Sequence, residues 1–216
     1  MPRNNRFLLS VLGVIIILLF AILINIFVPV TPSNKPQTPP GSQPRGEQSP
    51  GPGGQEPHWG VQTKTAGCRA NGPLQDTACT PGAIFSGATA EQICTPGYAS
   101  SMRNVPQSVK REVYDEYDIA RRTPGQYQVD HLVSLQLGGS NDIANLWPEA
   151  ARPTPGFHEK DKVETYLHDE VCDGHLSLKG AQIAIATNWL SVYNRMPARL
   201  KEPGYGGDGE DFSFTA

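Results

Sequence analysis

The chain opens on an apolar block unlike anything that follows it. Phe7 to Phe27 spans 21 residues without a charge and is dominated by Leu, Ile, Val and Phe. About 20 such residues are what a helix needs to cross the hydrocarbon core of a bilayer. Beyond it the hydrophobic pattern is broken and short-ranged. Val109, Val113 and Tyr117 recur every fourth position, which predicts a helix that begins after Ser108, a good N-cap, and runs towards Tyr117. After Thr123-Pro124-Gly125, a turn signal, the period becomes two. Tyr127, Val129, His131 and Val133 then share one face of a strand, with Gln128, Asp130 and Leu132 on the other. Gly138-Gly139 breaks the chain, and Asn145-Leu146-Trp147 reads as a short returning strand ended by Pro148.

Two longer helices follow. One runs from Phe157 or His158 to Val171 and turns Val163, Tyr166, Leu167 and Val171 towards the hairpin. The last, from about Leu178 to Tyr193, buries Ala181, Ile185, Trp189 and Val192 or Tyr193; Pro197 stops the remainder. Trp147 and Trp189 read as core. The stretch from Gly60 to Tyr98 is rich in turns, and of its apolar pieces only fragments such as Ala83-Ile84-Phe85 suggest brief strands. The fold class expected is α+β: a small hairpin–helix core with extra helices.

Composition adds the setting. Of 20 prolines and 22 glycines in the chain, eight and five fall between Thr31 and Pro57. That segment is too polar to bury and is stiffened towards extended structure. Arg3 and Arg6 precede the apolar block, so the positive-inside tendency puts the N-terminus in the cytoplasm. A cleaved secretory signal is the rival reading, against which stand the length of the apolar run and the lack of an A-x-A site before Pro29. The expected organisation is a cytoplasmic 1–6, a transmembrane anchor 7–30, a linker 31–57, a cysteine-bearing lead-in 58–120, a compact domain 121–197 and a disordered acidic tail 198–216. The expectation is a single-pass cell-membrane protein with its C-terminal domain outside the cytoplasm. A net charge of −3 excludes a global basic field, so any polyanion site must be a local patch.

Four cysteines, Cys68, Cys79, Cys94 and Cys172, form no C-x-x-C pair. An even count in an exported domain points to disulfides rather than a zinc knuckle. Three pairings are possible. Cys68–Cys79 with Cys94–Cys172 is favoured, since the first closes a short loop containing Gly and Pro.

The segment QVDHLVSLQLGGSNDIANLWPEAARPTPGFHEKDKVE, from Gln128 to Glu164, concentrates the chemistry. An imidazole with a free pKa near ~6.5 can activate a water, and one divalent ion can stabilise charge on a phosphorus centre and on its leaving oxygen. Successive strand residues face opposite ways, so Asp130 and His131 reach one ion only if twist or a bulge brings them together. The motif VDHLVSLxLGGSNDxxNLWPE resembles the HNH, or ββα-metal, nucleases over roughly Gln126 to Leu167. The segments around Cys79–Gly82 and Ile93–Tyr98 also resemble exported bacterial HNH-type proteins.

The resemblance implies His131 as general base, Asp130 as metal ligand, Asn145 as a brace across the loop and His158 as the helix-borne ligand. Where family members often carry a second helix ligand, this chain has Lys162. An open, lightly coordinated site suits Mg²⁺ or Mn²⁺, with Zn²⁺ or Ni²⁺ as alternatives. Arg121, Arg122, Lys160 and Lys162, with Arg103, are candidate phosphate contacts. Asp161 and Glu164 read as acids favouring the helix dipole, and His168 and His175 as solvent-facing. The function expected is a membrane-anchored, extracytoplasmic, metal-dependent endonuclease. It would cut DNA or RNA with little sequence preference and no small-molecule organic cofactor. The alternative is a non-catalytic envelope binding or structural module on the same scaffold.

Overall fold

The structure, a computed structural model, describes residues 55–206. The expected anchor at 7–30, most of the linker and the end of the tail lie outside the described residues. Among the described residues no helix is long and apolar enough to cross a membrane. In chain order come α1 (Ala90–Ile93), α2 (Tyr98–Met102), α3 (Gln107–Glu116), β1 (Tyr127–His131), β2 (Leu146–Ala150), α4 (Phe157–Cys172) and α5 (Leu178–Arg195). The class is α+β, with one two-stranded antiparallel sheet.

The helix expected after Ser108 starts one residue before it. Pro106 is its N-cap, and Ser108 lies inside the first turn. Proline there already has the extended backbone that a cap requires, and it lacks only an N–H that helix entry does not use.

The returning strand does not stop at Pro148 either; it runs to Ala150, with Pro148 opposite Val129. Leu132 N donates to Asn145 O at 2.7 Å and Ala151 N to Gln126 O at 3.0 Å. These bonds flank the pairs His131/Leu146 and Tyr127/Ala150, so every second pair, including Val129/Pro148, is a non-hydrogen-bonded one. The missing proline N–H therefore costs the ladder nothing.

Between the strands a loop folds back through two single 3₁₀ turns, Leu135–Leu137 and Ile143–Asn145. Their first N–H groups are capped by Ser134 and Asp142. Gly138 has φ +72°, and a Cβ on Gly139 would lie 1.7 Å from the Val133 carbonyl oxygen. Only glycine fits at that approach. Ala83–Phe85 does not form a strand with this loop. It runs beside it, joined by Phe85 N to Gly138 O (2.9 Å), Ser140 N to Ala83 O (3.0 Å) and a single bridge between Ile84 and Gly139.

The core fills the space between the hairpin loop, α4, α5 and the lead-in, with Leu132, Leu137, Trp147, Val163, Ile185 and Trp189 at its centre. Each fully buried aliphatic side chain there contributes about 1.5–3 kcal/mol. The Trp189 indole N–H is satisfied by Pro73 O at 3.1 Å. Helix α5 contains a non-helical residue, Asn188, whose side chain accepts from Ser191 N at 2.8 Å and so starts the second helical segment.

The disulfides are Cys68–Cys79 and Cys94–Cys172, separated by 11 and 78 residues. Loop-closure entropy makes the longer one worth more, about 4.5 against roughly 3 kcal/mol. It joins the end of α1 to the end of α4. The first part of the expected tail is packed rather than free. Lys162 Nζ donates to Lys201 O at 2.6 Å, and Tyr205 donates to Asp169 at 3.1 Å.

Candidate functional site

Asp130 and His131 end β1 and enter two different environments. Opposed pairs share a face, so Gln128, Asp130, Trp147 and Glu149 point one way and Val129, His131, Leu146 and Pro148 the other. No bulge redirects either residue.

On the Asp130 side, α4 inserts Lys160. The buried stripe of α4 is Phe157, Lys160, Val163, Glu164, Leu167 and Val171, so Lys160 occupies an apolar-phase position. Its side chain is 0% exposed. Nζ donates to Asp130 Oδ2 at 2.7 Å, to the His131 carbonyl at 2.8 Å and to Glu164 Oε1 at 2.5 Å. Glu149, also buried, stands 4.0 Å from the ammonium. Burial alone would lower the Lys160 pKa, but three surrounding carboxyl groups raise it well above the ordinary lysine value. Burial would likewise raise Asp130; the Lys160 charge and its hydrogen bond outweigh it and hold Asp130 low.

Glu149 goes the other way. Burial pushes it well above the usual carboxylate range, and the charges of Asp130 and Glu164 add to the push against Lys160. Neither of its oxygens receives a hydrogen bond. A carboxyl beside two acids and short of donors is pushed towards its neutral form. Burial raises Glu164 as well, against the opposing pull of Lys160.

His131 is 4% exposed, and its Nε2 lies 3.1 Å from Asn141 Oδ1. The Asn141 amide cannot turn over: its Nδ2 donates to Met102 O at 2.7 Å, and its Oδ1 accepts from Asn104 N at 3.2 Å. Oδ1 is therefore an acceptor towards His131, and Nε2 must carry the hydrogen. The lone pair is left on Nδ1. Burial lowers the His131 pKa to about 4, despite the Asp130 charge and the Asn141 bond; the charges of Arg103 and Lys160 lower it further. The ring is neutral at pH 7, with one nitrogen able to accept a proton.

Asn145 is fully buried, and all its hydrogen-bonding capacity is used. Oδ1 accepts from Val133 N (2.9 Å) and Ala83 N (3.3 Å), while Nδ2 donates to Val133 O (3.0 Å) and Ser140 O (2.8 Å). It ties both ends of the loop together and to the lead-in, two residues beyond His131.

The other expected site residues do not gather here. His158 is exposed, its ring against Phe157 at 4.2 Å between centroids. It lies about 200° around the helix from Lys160, and Lys160 is the residue that reaches Asp130. Asp130 and His158 therefore do not form a shared ion site, and the residues present do not fit the metal expected for them. Among the described residues, the trios of metal-type side chains whose ligand atoms lie within 4.8 Å of one another are Cys94–His168–Cys172 and Cys68–Asp76–Cys79. In both, the cysteines are spent in disulfides.

Lys160 is no solvated phosphate contact, being buried. Lys162 is engaged with the tail, and Arg122 lies 3.7 Å over the Tyr114 ring. Arg121 is exposed. Of the basic groups considered, Arg103 is the exposed one whose charge acts on both His131 and Asp161. Two cavities, of about 280 and 340 Å³, open on this part of the surface, the first lined by Tyr117, Trp147 and Glu149 among others; neither is lined by Asp130 or His131.

Glu149 and Asn141 were missed by sequence reasoning, and Lys160 and Asp161 were given other roles, a phosphate contact and a helix-dipole acid. Asp161 is more than a dipole partner. Burial, then the charges of Glu164 and Asp130, raise its pKa to about 8, against Lys160 and Arg103. A signal for Lys160 was present, because it falls on the apolar stripe with Val163, Leu167 and Val171 whereas His158 does not.

No protein family, curated protein or solved structure matches this chain.

Proposed function

We propose that this protein hydrolyses phosphodiester bonds of DNA or RNA outside the cytoplasm, with His131 as the general base and low sequence specificity. The observation that carries the reading is the state of His131: a neutral imidazole whose Nε2–H is held by Asn141, leaving Nδ1 to take a proton from water. The positive charge of Arg103 beside it suits an incoming phosphate. Asn145 and the Lys160 bond to the His131 carbonyl keep the base in place. Low specificity follows from the lack of an evident base-reading element among the described residues and from a net charge of −3. Two disulfides favour an oxidising compartment, and the apolar run Phe7–Phe27 supports attachment to the cell membrane. No step is assigned to a metal.

The alternative, a non-catalytic envelope module, is favoured by one observation: the buried charges around Lys160 are largely paired among themselves. The deciding experiment incubates the full-length chain, purified in detergent, with plasmid DNA and with RNA, in Mg²⁺, in Mn²⁺ and in EDTA. Cleavage that His131→Ala abolishes supports the hydrolase. Absence of cleavage under every condition, from protein with both disulfides formed, leaves the envelope module.

A further inference from the structure

We propose that the Lys160 ammonium is the resident cation of this centre. It stands where a divalent ion would otherwise link the β1 carboxylate to the helix, and the native protein organises His131 without such an ion. Three oxygens, from Asp130, Glu164 and the His131 carbonyl, surround Nζ at 2.5–2.8 Å. That is close to the oxygen shell a calcium ion gathers at about 2.3–2.6 Å. The donor set is also one for a hard cation: two carboxylates and a carbonyl. The ammonium contributes three N–H groups, and the three oxygens accept one each, so its hydrogen-bonding capacity is filled.

Three features keep a metal out. Asp130 has its Oδ2 on Lys160 and is only 7% exposed, so little of its carboxylate remains to bind an ion. An ion at Asp130 would sit within a few ångströms of a buried ammonium, where repulsion at an effective dielectric of about 20 costs several kcal/mol. Nor can the ammonium swing out, because Lys160 lies on the buried stripe of a 16-residue helix fixed at its far end by Cys172. A tethered cation has the right charge, cannot be chelated and spends no binding free energy on capture. It acts as a positioning residue, holding Asp130 and the His131 backbone in register.

Only the corollary, that cleavage persists in EDTA, rests on the hydrolase reading; the binding claim is tested without it. The His131 ring signals of the full-length, ¹⁵N-labelled chain are followed by NMR during titration with Mn²⁺, a paramagnetic probe that broadens signals near it. No stoichiometric broadening of His131 is expected, and its Nε2–H tautomer signature should be the same in EDTA as in Mn²⁺. Stoichiometric broadening of His131 in the native chain would overturn the proposal. Lys160→Ala, which empties the oxygen shell, should acquire Mn²⁺ broadening at His131; a folded variant that does not would equally overturn it. If that variant fails to fold, the native titration still decides. Native cleavage that vanishes in EDTA while His131 stays unbroadened by Mn²⁺ would count against the corollary and leave the resident cation standing.

Discussion

Asp130 and His131 are adjacent on one strand, yet the regions they enter are built on opposite principles. The region between the hairpin and α4 is buried and charged: one ammonium against the carboxyl groups of Asp130, Glu164 and Glu149. The region on the loop side is nearly neutral, with His131 held by amide and backbone groups through Asn141 and the loop spanned by Asn145. The contrast shows how one chain keeps a strongly charged cluster from dictating the state of a neighbouring imidazole. The cluster is balanced internally by Lys160, and burial then sets His131. Had a divalent ion stood between them, the two residues would have shared one environment.

The comparison breaks most easily at Lys160. Lys160→Met should cost about 4 kcal/mol of stability in urea denaturation, because it leaves buried carboxylates without their cation. Adding Glu164→Gln and Asp130→Asn should restore a large part. A Lys160→Met protein as stable as the native one would show that the charges are not coupled as described.

The loop side is tested by His131→Gln, whose amide N–H can still meet Asn141 but which has no basic nitrogen. Cleavage should fall by roughly 10²–10⁴-fold, with a melting temperature close to native. Asn145→Ala should cost about 3 kcal/mol, since two N–H and two C=O groups lose their partner at once.

A gentler test uses pH. His131 takes up its proton at about 4 in the fold against 6.5 when free, so its contribution to stability is complete above pH 6.5 and is lost as pH falls towards 4. Asp161 releases its proton at about 8 against 3.8 when free, so its contribution is complete below pH 3.8 and is lost as pH rises towards 8. The two oppose each other between about 4 and 6.5; above that Asp161 lowers stability with rising pH, in the same sense as the raised Glu149 and Glu164. Thermal stability should decline between pH 6.5 and 8, and Asp161→Asn should flatten the decline. Loss of the decline in His131→Gln instead would reverse the assignment. The smallest effect expected is that of His158→Ala: within about 0.5 kcal/mol, with no change in cleavage, as for an exposed side chain away from the centre. A large loss of cleavage there would restore His158 to the site.

Much of the scaffold was legible from short-range signals. The switch from a period of four to a period of two placed β1, the Gly138-Gly139 pair placed the sharp fold of the loop, and the start of α4 was read to within a residue. Pro148 was misjudged because a proline interrupts a strand only where its N–H would be used, and that depends on the pairing register with Val129. His158 was singled out for being a histidine at a helix start, while helix phase, which assigns Lys160 to the buried side, was not applied to a lysine.

The chain by itself determined the order strand, loop, strand, helix and the alternation that sends Asp130 and His131 to opposite faces, and it favoured one disulfide pairing among three. These depend on residue type and spacing, which act locally. Only the tertiary structure decided which cation meets Asp130, which nitrogen of His131 holds the hydrogen and which carboxyl groups burial pushes upward. Each of those depends on groups distant in sequence, such as Met102, Glu149 and Lys160, being brought within hydrogen-bonding range and out of water.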